Sequence, residues 1–482
     1  MSVQDLSACP PQIRCPSVIE GETRVSSSDL SWRAAAIRNA ILARGYQSGA
    51  RIVLLASNCA NAVAALLGGL ETGLIIVPVN TALPDPEKKR IFEDALPVAI
   101  LTDKQNVRET GGVDATVDIL SLDDLLKEDA PEAFAEIKPE VPALVLYTSG
   151  STGNPKGVVF PRSYLDGNGK QFGEELFGLN ETDVILLPME VSSIISITLV
   201  TATRHVGATL VITRSHRPDA IIETLQRAKV TMMMTVTTVA EFVLKMTEGM
   251  DDPFPDLRIM TIGGNYVSAA LSDRLAEAFG VRIDVIYAST EVAPTTYLID
   301  RKSAPDGAAG PAAPGVDIEI VDPDGQPVPQ GEPGELVVSG PRVAIGYWTG
   351  ENDDSMHFNG RFATGDLGYR DEAGNYFIIG RSKEVIKTGG LSVYPPEVEK
   401  VLSQHPGIHC VAVLGKPNAT LGEVVVAFVV PKKGHTLTSV ELIAWSKKNL
   451  ASGKCPRGIK FVETLPQTTT GKVAKNELRK QL

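Results

Sequence analysis

A glycine- and hydroxyl-rich segment is the strongest chemical signal in the chain. Residues 147–157 read YTSGSTGNPKG and directly follow the apolar run 143–146. Backbone N–H groups, several hydroxyls and the ammonium of Lys156 lie close together in such a loop, and these groups suit an oligophosphate. The loop is not of the Walker A type, because Lys156 precedes the last glycine. A flexible surface turn is the alternative, and the full set of polar side chains argues against it. The candidate phosphate ligands are Thr148, Ser149, Gly150, Ser151, Thr152, Gly153 and Lys156.

The glycines of this segment have a structural meaning of their own. Gly150, Gly153 and Gly157 lack a Cβ atom, so we expect them to adopt backbone conformations that other residues avoid. Such a loop can bring its backbone N–H groups close to a bound phosphate.

A hydroxyl and a carboxylate follow another short apolar run. Residues 287–291 read YASTE after the predicted strand 282–286. A hydroxyl beside a carboxylate can serve a phosphate together with its Mg²⁺, because hard cations prefer oxygen ligands. Thr290 and Glu291 are therefore candidate ligands. The same segment also fits a strand end followed by a helix cap.

Three later features add candidates. The carboxylate of Asp366, in the run FATGD, can accept both hydroxyls of a ribose, and the guanidinium of Arg381 can donate to the same sugar, although an isolated TGD is often only a turn. Gly389 and Gly390 fit a tight hairpin turn. Lys472 ends the run LPQTTTGK, and a lysine on a glycine loop can neutralise charge as it develops in a reaction. A solvated charge near the C-terminus is the alternative for Lys472.

These motifs, in this order, make the chain resemble the adenylate-forming superfamily, and an acyl-CoA synthetase most of all. The superfamily includes acyl-CoA synthetases, firefly luciferase and the adenylation domains of nonribosomal peptide synthetases, and the resemblance covers most of the chain. It implies that ATP converts a carboxylic acid into an acyl-AMP with release of pyrophosphate, after which the acyl group passes to a thiol. The implied cofactors are ATP, Mg²⁺ and coenzyme A, or the phosphopantetheine of a carrier protein.

The resemblance also implies a role for each matched residue. Lys472 contacts the carboxylate and the α-phosphate, Thr290 meets phosphate, and Glu291 holds the metal. Lys383 is the hinge about which the small domain pivots. Besides the phosphate loop, the residues assigned to nucleotide or coenzyme A binding are Gly264, Tyr287, Ala288, Ser289, Asp366, Arg381, Gly389 and Gly390.

The departures from the family pattern collect around the implied acyl pocket. Ala288 stands where the family usually has glycine, and Glu190 with Val191 replaces an aromatic–histidine pair. An α-amino acid would need an aspartate nearby, and none lies between Asp183 and Asp219. Glu190 would have to bind the amine instead, and we interpret it as a solvated or capping carboxylate, which predicts an acid without an α-amino group. The residues assigned to the acyl pocket are Glu190, Val191, Ser192, Asn265 and Ala288.

Alternating strands and helices predict an α/β fold. The first helix is expected over 30–45, and parallel sheets covered by helices should follow. We expect a large N-terminal domain, 1–381, with acyl and ATP sites and a β subdomain from about residue 310, and a small mobile α+β C-terminal domain, 382–482, with the catalytic lysine. Three methionines at 232–234 either line the acyl pocket or belong to the core.

Composition excludes several classes of protein. The chain has 482 residues and a formal net charge of -12, which argues against nucleic acid as a partner. Its 5 cysteines include no CxxC pair, so a disulfide framework is not expected. The most apolar stretch, 64–79, is interrupted by Glu71 and glycines, and the N-terminus does not read as a signal peptide. We therefore predict a cytoplasmic protein without a membrane span.

The expected partners are a small-molecule carboxylic acid and coenzyme A or a separate acyl carrier protein. Only ten residues follow Lys472, so no carrier domain is expected and free coenzyme A is the simplest acceptor. A stand-alone adenylation enzyme, an adenylate-only ligase and an inactive nucleotide-binding relative are alternatives; the presence of Glu291 and Lys472 argues against the last. A homodimer is possible by analogy with the family. The sequence leaves open the acid (fatty, aryl or complex natural product) and the pathway.

Overall fold

The described part of the chain folds into two compact units. The computed structural model describes residues 15–104, 106, 114, 116–148, 155–187, 189–213, 215, 217–348, 357–466 and 473–482. One unit holds the described residues up to 317 together with 338–362, and the other holds 318–337 and 363–482. The predicted division after residue 381, between a large N-terminal domain and a small C-terminal domain that carries the catalytic lysine, stays a prediction.

Strands and helices make up both units, and in the first unit they alternate, as predicted. The strands, in chain order, are β1 (Ser17–Glu20), β2 (Thr23–Val25), β3 (Arg51–Leu55), β4 (Ile75–Pro78), β5 (Ala99–Thr102), β6 (Asp118–Ser121), β7 (Pro142–Thr148), β8 (Lys156–Pro161), β9 (Val184–Leu187), β10 (Thr209–Ile212), β11 (Met232–Val236), β12 (Ile259–Gly263), β13 (Arg282–Tyr287), β14 (Thr296–Leu298), β15 (Ala308–Gly310), β16 (Asp317–Val321), β17 (Gly334–Ser339), β18 (Gly346–Tyr347), β19 (Arg361–Arg370), β20 (Tyr376–Arg381), β21 (Ile386–Thr388), β22 (Leu391–Val393), β23 (Ile408–Asn418), β24 (Gly422–Pro431) and β25 (Gly458–Phe461). The helices are α1 (Ser27–Leu42), α2 (Ala60–Gly69), α3 (Asp85–Ala95), α4 (Leu122–Leu125), α5 (Arg162–Lys170), α6 (Ile194–Val206), α7 (Pro218–Arg227), α8 (Thr237–Met246), α9 (Ala269–Phe279), α10 (Pro395–Ser403), α11 (Ser439–Asn449) and α12 (Lys475–Arg479).

Helix α1 differs from its predicted bounds at both ends. It begins at Ser27 because the hydroxyl of Ser26 accepts a hydrogen bond from the backbone N–H of Asp29, a serine N-cap. It ends at Leu42, three residues before the predicted glycine. Apolar periodicity located the helix, whereas the capping hydrogen bond determines where it starts.

Three candidate site residues lie just after strands of the first sheet, at the carboxyl ends of these strands. Its strand order is β14-β13-β12-β11-β9-β10-β1-β2, and the strands from β13 to β1 run parallel. The carboxyl ends of parallel strands meet at the same edge, where open α/β sheets bind their ligands. Glu190 follows β9, Asn265 follows β12 and Glu291 follows β13, so the topology places all three at this edge.

The second sheet of the same unit positions the phosphate loop. Its strand order is β18-β8-β7-β4-β3-β5-β6, with β8 antiparallel to β7 and β18 antiparallel to β8. Strands β3, β4, β5 and β7 run parallel, so the loop after β7 leaves from the carboxyl edge of this sheet. Hydrophobic strands such as β3, buried along its whole length, are typical of sheets covered on both faces.

The second unit confirms the predicted change to antiparallel structure. Strands β20, β19, β17 and β16 are neighbours in that order, and β19 pairs antiparallel with β20. In the long hairpin of β23 and β24, strand β24 also pairs with β21 and β25. The hairpin packs with α10 and α11 around buried residues such as Val398, Ala427 and Leu442. This part is the predicted small α+β region.

The structure shows where the three methionines lie and whether the cysteines are paired. Met232, Met233 and Met234 of β11 are 0 to 4 % exposed, so they are buried along this strand. Cys15, Cys59, Cys410 and Cys455 are free thiols, and Cys9 lies outside the described residues. In the part of the chain that the structure describes, no helix is long and apolar enough to cross a membrane.

A buried ionic cluster ties together the amino ends of three parallel strands. The carboxylate of Asp183, before β9, is 3 % exposed and accepts hydrogen bonds from Arg258 (2.7 Å) and Thr231 (2.6 Å), which precede β12 and β11. Burial raises the pKa of Asp183, but these hydrogen bonds and that from the Asn180 N–H outweigh burial, so the pKa lies below its ordinary value. The opposite, carboxyl ends of β9 and β12 lead to candidate site residues, Glu190 after β9 and Asn265 after β12.

We predict that Asp183→Ala lowers the free energy of unfolding by about 3 kcal/mol at neutral pH, because the hydrogen-bond donors of Arg258, Thr231 and Asn180 lose their buried acceptor. Since the folded-state pKa is depressed, the contribution of Asp183 is complete above the ordinary carboxyl pKa of about 4 and is lost as the pH falls through the folded-state value. Urea unfolding followed by tryptophan fluorescence measures both effects.

Asp219→Ala is the matched control. Asp219 also pairs with an arginine, Arg217, at 2.8 Å, but both side chains are exposed, so solvent screens the pair and no measurable change is expected. Equal destabilisation by the two substitutions would show that the buried cluster has no special role.

Candidate active site

A strand pair holds the two ends of the predicted phosphate loop. Thr148 ends β7 and Lys156 begins β8, and the two residues are directly paired across the hairpin. The Thr148 hydroxyl also donates to the Lys156 carbonyl at 3.4 Å. The loop therefore begins and ends on a rigid ladder. Ser149, Gly150, Ser151, Thr152 and Gly153 lie outside the described residues, as does Lys472.

Gly157 serves a different purpose from the one predicted. Its φ is not in the left-handed region, so the expected special backbone conformation is wrong for this glycine. A Cβ at this position would lie 2.7 Å from a methyl group of Val145 and 3.1 Å from the Cβ of Trp348. Glycine is needed because Val145 of β7 and Trp348 both lie so close to this position that a side chain would collide with them.

Tyr347 connects the phosphate-loop lysine to the predicted metal ligand. The Nζ atom of Lys156 lies 4.7 Å from the centre of the Tyr347 ring, in cation–π geometry. The Tyr347 hydroxyl donates a hydrogen bond of 2.7 Å to Oε1 of Glu291. The structure thus brings together two predicted residues through a third that sequence reasoning missed. An aromatic pair within GYW, 346–348, is the signal that was present in the sequence.

Backbone hydrogen bonds fix the segment that carries Tyr347. Trp348 donates to the carbonyl of Gly157 at 2.7 Å, and Ile345 donates to Val159 at 2.8 Å, both on β8. Ala344 donates to the carbonyl of Glu291 at 2.9 Å. One short segment therefore bridges the second sheet and the loop that follows β13 of the first sheet.

The segment 287–291 forms a tight turn and not a helix cap. The N–H of Ser289 donates to the carbonyl of Val292 at 3.1 Å, and the hydroxyl of Ser289 accepts from the N–H of Val292 at 3.3 Å. The chain then returns along β13 as β14, with Thr296 opposite Tyr287. Of the remaining candidates here, Thr290 is half-buried and Ala288 packs against the core.

The donor set around Glu291 suits magnesium. Among the described residues, no group of three or more His, Cys, Asp or Glu side chains is placed to hold a metal ion. Mg²⁺ is commonly held by one or two carboxylates, with substrate phosphates and water as the other ligands, and it needs no preformed protein cage. A single half-buried carboxylate beside a phosphate loop fits this type of site.

Glu190 is hydrogen-bonded to another residue of the protein. Its carboxylate accepts hydrogen bonds from the backbone N–H (3.0 Å) and the hydroxyl (2.8 Å) of Thr81. The buried Asn58, which sequence reasoning missed, donates to the carbonyl of Met189 and accepts from the N–H of Val191. These contacts fix the loop after β9, bury Val191 and leave Ser192 half-buried.

Gly264 and Asn265 follow β12 at the same edge as Glu190. Gly264 has a φ of +85°, a conformation that favours glycine, and an added Cβ would lie 3.3 Å from Cγ1 of Val236 on the neighbouring strand. Asn265 is exposed. Glycine is therefore required at this turn both by conformation and by a close neighbour.

In the second unit, the predicted ribose ligands are paired with each other. Asp366 and Arg381 are direct partners across β19 and β20, and Nε of Arg381 lies 2.9 Å from Oδ1 of Asp366. Gly389 and Gly390 have φ values of +56° and +82° and form the two-residue turn between β21 and β22, which confirms the hairpin interpretation. Lys383 is exposed in a short 3-10 turn.

We predict that Gly264→Ala lowers the free energy of unfolding by about 2 kcal/mol, since the new methyl group adds a close contact to an unfavourable φ. Gly249→Ala is the matched control, because Gly249 has a φ of +84° with nothing within 4 Å. Only the backbone cost, about 1 kcal/mol, is expected there. Urea unfolding that gave equal losses would contradict the tight packing at Gly264.

Family models match both parts of the chain. One, described as AMP-binding enzyme, matches residues 10–348, and another, the AMP-binding enzyme C-terminal domain, matches residues 397–472. Three similar relatives cover nearly the whole chain. They are a feruloyl-CoA synthase of an Amycolatopsis species (30 % identity, 96 % of this chain, 95 % of the relative), an indoleacetate–CoA ligase of Aromatoleum aromaticum (30 %, 95 % and 93 %) and a fatty acid–[acyl-carrier-protein] ligase of Streptomyces coeruleorubidus (29 %, 96 % and 93 %).

Solved structures agree with these matches. ATP-bound MatB from Rhodopseudomonas palustris superposes with a TM-score of 0.89 at 29 % identity, over 97 % of this chain and 96 % of that one. The o-succinylbenzoate CoA synthetase MenE from Bacillus subtilis superposes with its acyl-adenylate bound (TM-score 0.86, 27 %, 97 % and 95 %) and with ATP and magnesium bound (0.85, 27 %, 97 % and 97 %). The chain belongs to the family of AMP-binding enzymes, as an acid–thiol ligase of the AMP-forming acyl-CoA synthetase class.

Proposed function

We propose that this ligase activates an aromatic carboxylic acid without an α-amino group and transfers its acyl group to coenzyme A. The observation that carries the proposal is the contact of Lys156 and Glu291 with one tyrosine, beside the hairpin that holds the phosphate loop. This arrangement supports the proposal, because a cation and a carboxylate that can bind a metal ion both contact one side chain, as binding of a triphosphate with its Mg²⁺ would require. The reaction type is that of the family, and the residue roles are our assignment.

The first half-reaction must bring two anions together. A carboxylate oxygen of the acid attacks the α-phosphorus of ATP, the bond from that phosphorus to the β-phosphate oxygen breaks, and pyrophosphate leaves. Lys156 and Thr148 would hold the phosphates, Thr290 would bind phosphate, and Lys472 would contact both reacting groups, which lowers their repulsion. Mg²⁺ bound with the nucleotide at Glu291 would supply further positive charge.

In the second half-reaction the thiol attacks the acyl carbonyl of the mixed anhydride, and AMP leaves. The turn at Gly389 and Gly390 is our candidate for the place where a pantetheine arm passes close to the backbone, because neither residue has a side chain to obstruct it. Lys383 is our candidate hinge for the small domain, which we take as 382–482. These assignments follow the family resemblance.

The remaining assignments concern the nucleotide. We assign Asp366 and Arg381 to the ribose hydroxyls, because a carboxylate accepts from both hydroxyls and a guanidinium donates to the same sugar. Tyr287 is assigned to the adenine ring. The turn residues assigned to the nucleotide or the acid are Gly264, Asn265, Ala288 and Ser289. We further propose a cytoplasmic location and a possible homodimer.

One contact supports an acid without an α-amino group, and two further observations concern the size of the acid and its aromatic ring. The carboxylate of Glu190, the acidic residue nearest the predicted pocket in sequence, already accepts two hydrogen bonds from Thr81. Ser192 and Ala288 both have small side chains, which suits a bulky acid, although Ala288 is one methyl group larger than the glycine usual in the family. Two of the relatives are named for acids with an aromatic ring, ferulic and indoleacetic acid. A fatty acid is the second candidate, because another relative is named for one.

A carrier protein is the alternative acceptor. The relative named as a fatty acid–[acyl-carrier-protein] ligase is 29 % identical over nearly the same length, so sequence similarity alone does not decide between the two thiols. An inactive nucleotide-binding protein is disfavoured because the residues assigned to adenylation are all present.

We predict that Lys472→Ala reduces acid-dependent ATP–pyrophosphate exchange at least about 100-fold, because one charge that stabilises the transition state is lost. The same variant should still convert a synthetic acyl-adenylate and coenzyme A into thioester, since that step does not need this lysine. Lys480→Ala, which removes an exposed lysine paired with Glu477, is the control and should leave exchange unchanged. Undiminished exchange by Lys472→Ala would refute the assignment.

We predict that a panel of acids ranks aryl and arylacetic acids above fatty acids, with α-amino acids inactive, because the carboxylate of Glu190 is held by two hydrogen bonds from Thr81. ATP–pyrophosphate exchange measures the ranking. Coenzyme A, or a carrier protein bearing phosphopantetheine, is then added with the best acid, and mass spectrometry identifies the thioester. Strongest exchange with an α-amino acid, or exchange with no acid at all, would contradict the proposal.

A further inference from the structure

A single side chain contacts both the phosphate-loop lysine and the carboxylate assigned to magnesium. Lys156 lies on the face of the Tyr347 ring, and Glu291 accepts the hydrogen bond of the Tyr347 hydroxyl. We propose that Tyr347 is a positioning residue of the adenylation half-reaction, which orients Glu291 for Mg²⁺ and Lys156 for the triphosphate. This inference rests on the proposed function, in which these two residues bind ATP with its metal.

The charges of the two residues explain why such a residue is needed. Lys156 and Glu291 are a cation and an anion that meet on the same tyrosine, and opposite charges attract strongly where water is partly excluded. A direct ion pair would engage the ammonium and the carboxylate with each other. The aromatic face and the hydroxyl give each group a weaker, neutral partner instead, so each keeps its charge for a ligand.

Tyr347 is itself held on several sides. Its strand, β18, pairs with β8, and the next residue donates its N–H to the carbonyl of Gly157. The ring of Phe358 packs edge-on against the Tyr347 ring with the centres 5.0 Å apart. A side chain fixed in this way can hold two partners in place before any ligand arrives, which is the requirement for electrostatic preorganisation.

The two contacts of Tyr347 can be removed separately. Tyr347→Phe keeps the ring above which Lys156 lies and removes only the hydroxyl that orients Glu291. Loss of a hydrogen bond to a metal-binding carboxylate commonly weakens metal binding 10- to 100-fold. Tyr347→Leu removes both contacts. The two variants therefore distinguish an effect on magnesium from an effect on the phosphates.

The test measures binding of α,β-methylene-ATP, which cannot form an adenylate, by calorimetry with and without Mg²⁺. For Tyr347→Phe we expect the gain in affinity that Mg²⁺ gives to fall about tenfold, with metal-free binding within about twofold of wild type. For Tyr347→Leu we expect metal-free binding to weaken as well. Acid-dependent ATP–pyrophosphate exchange should distinguish the variants in the same way. Tyr347→Phe should raise only the Mg²⁺ concentration needed for half-maximal rate, whereas Tyr347→Leu should also raise the ATP concentration needed.

Tyr46→Phe is the matched control, because the Tyr46 hydroxyl donates to the carboxylate of Asp118 elsewhere in the same unit. It should change neither affinity. The affinities and the concentrations needed for half-maximal exchange do not depend on what fraction of a sample is folded. A modest loss of stability in a variant therefore leaves them interpretable.

Wild-type Mg²⁺ dependence in Tyr347→Phe, or an equal effect of Tyr46→Phe, would overturn the inference about Tyr347. Failure of the proposed function is a separate result. In that case wild-type protein would bind the nucleotide with Mg²⁺, but its pyrophosphate exchange would occur whether or not an acid is added. The calorimetric comparison of Tyr347→Phe with wild type would still report whether Tyr347 positions the metal ligand.

Discussion

Repulsion between a carboxylate and a triphosphate is the constraint on which this structure depends. The protein as a whole makes that constraint harder to meet, because its formal net charge is -12. Favourable charge must therefore be local. Lys156 begins a strand whose partner holds the other end of the phosphate loop. Its ammonium lies over an aromatic ring, and it forms no ion pair with any carboxylate of the described residues. Positive charge held in this manner is available to a phosphate with little rearrangement.

The two sheets of the first unit supply the rigidity that this local charge requires. Parallel strands bring the segments after β9, β12 and β13 to one edge of the first sheet, and the second sheet carries the phosphate loop. The segment 344–348 bridges them, with backbone hydrogen bonds to β8 and to Glu291. Gly157 makes this bridge possible, since any larger residue would collide with Val145 and Trp348. At the amino ends of β9, β11 and β12 in the same sheet, the cluster around the buried Asp183 holds these strands together.

Local patterns allowed much of the fold and part of the site to be predicted from the sequence. Apolar runs predicted that strands and helices alternate along the chain, and the elements of the first unit follow that pattern. The paired glycines at 389–390 predicted a hairpin for a conformational reason that holds. Tyr347 and Asn58 were missed because their roles arise from contacts with residues far away in the sequence. Gly157 was misinterpreted for the same reason. The identity of the acid stays a proposal, since the shape of a pocket depends on side chains from several elements.

The most direct test of the account follows the oxygen atoms of the acid. The substrate is prepared with ¹⁸O in both carboxylate oxygens and is converted to thioester with unlabelled ATP and coenzyme A. If the carboxylate attacks the α-phosphorus and AMP later leaves from the acyl carbonyl, one ¹⁸O atom must appear in AMP, and mass spectrometry should find it there and not in pyrophosphate. Thioester formation with unlabelled AMP, or with the label in inorganic phosphate, would contradict an acyl-adenylate intermediate and with it the central claim.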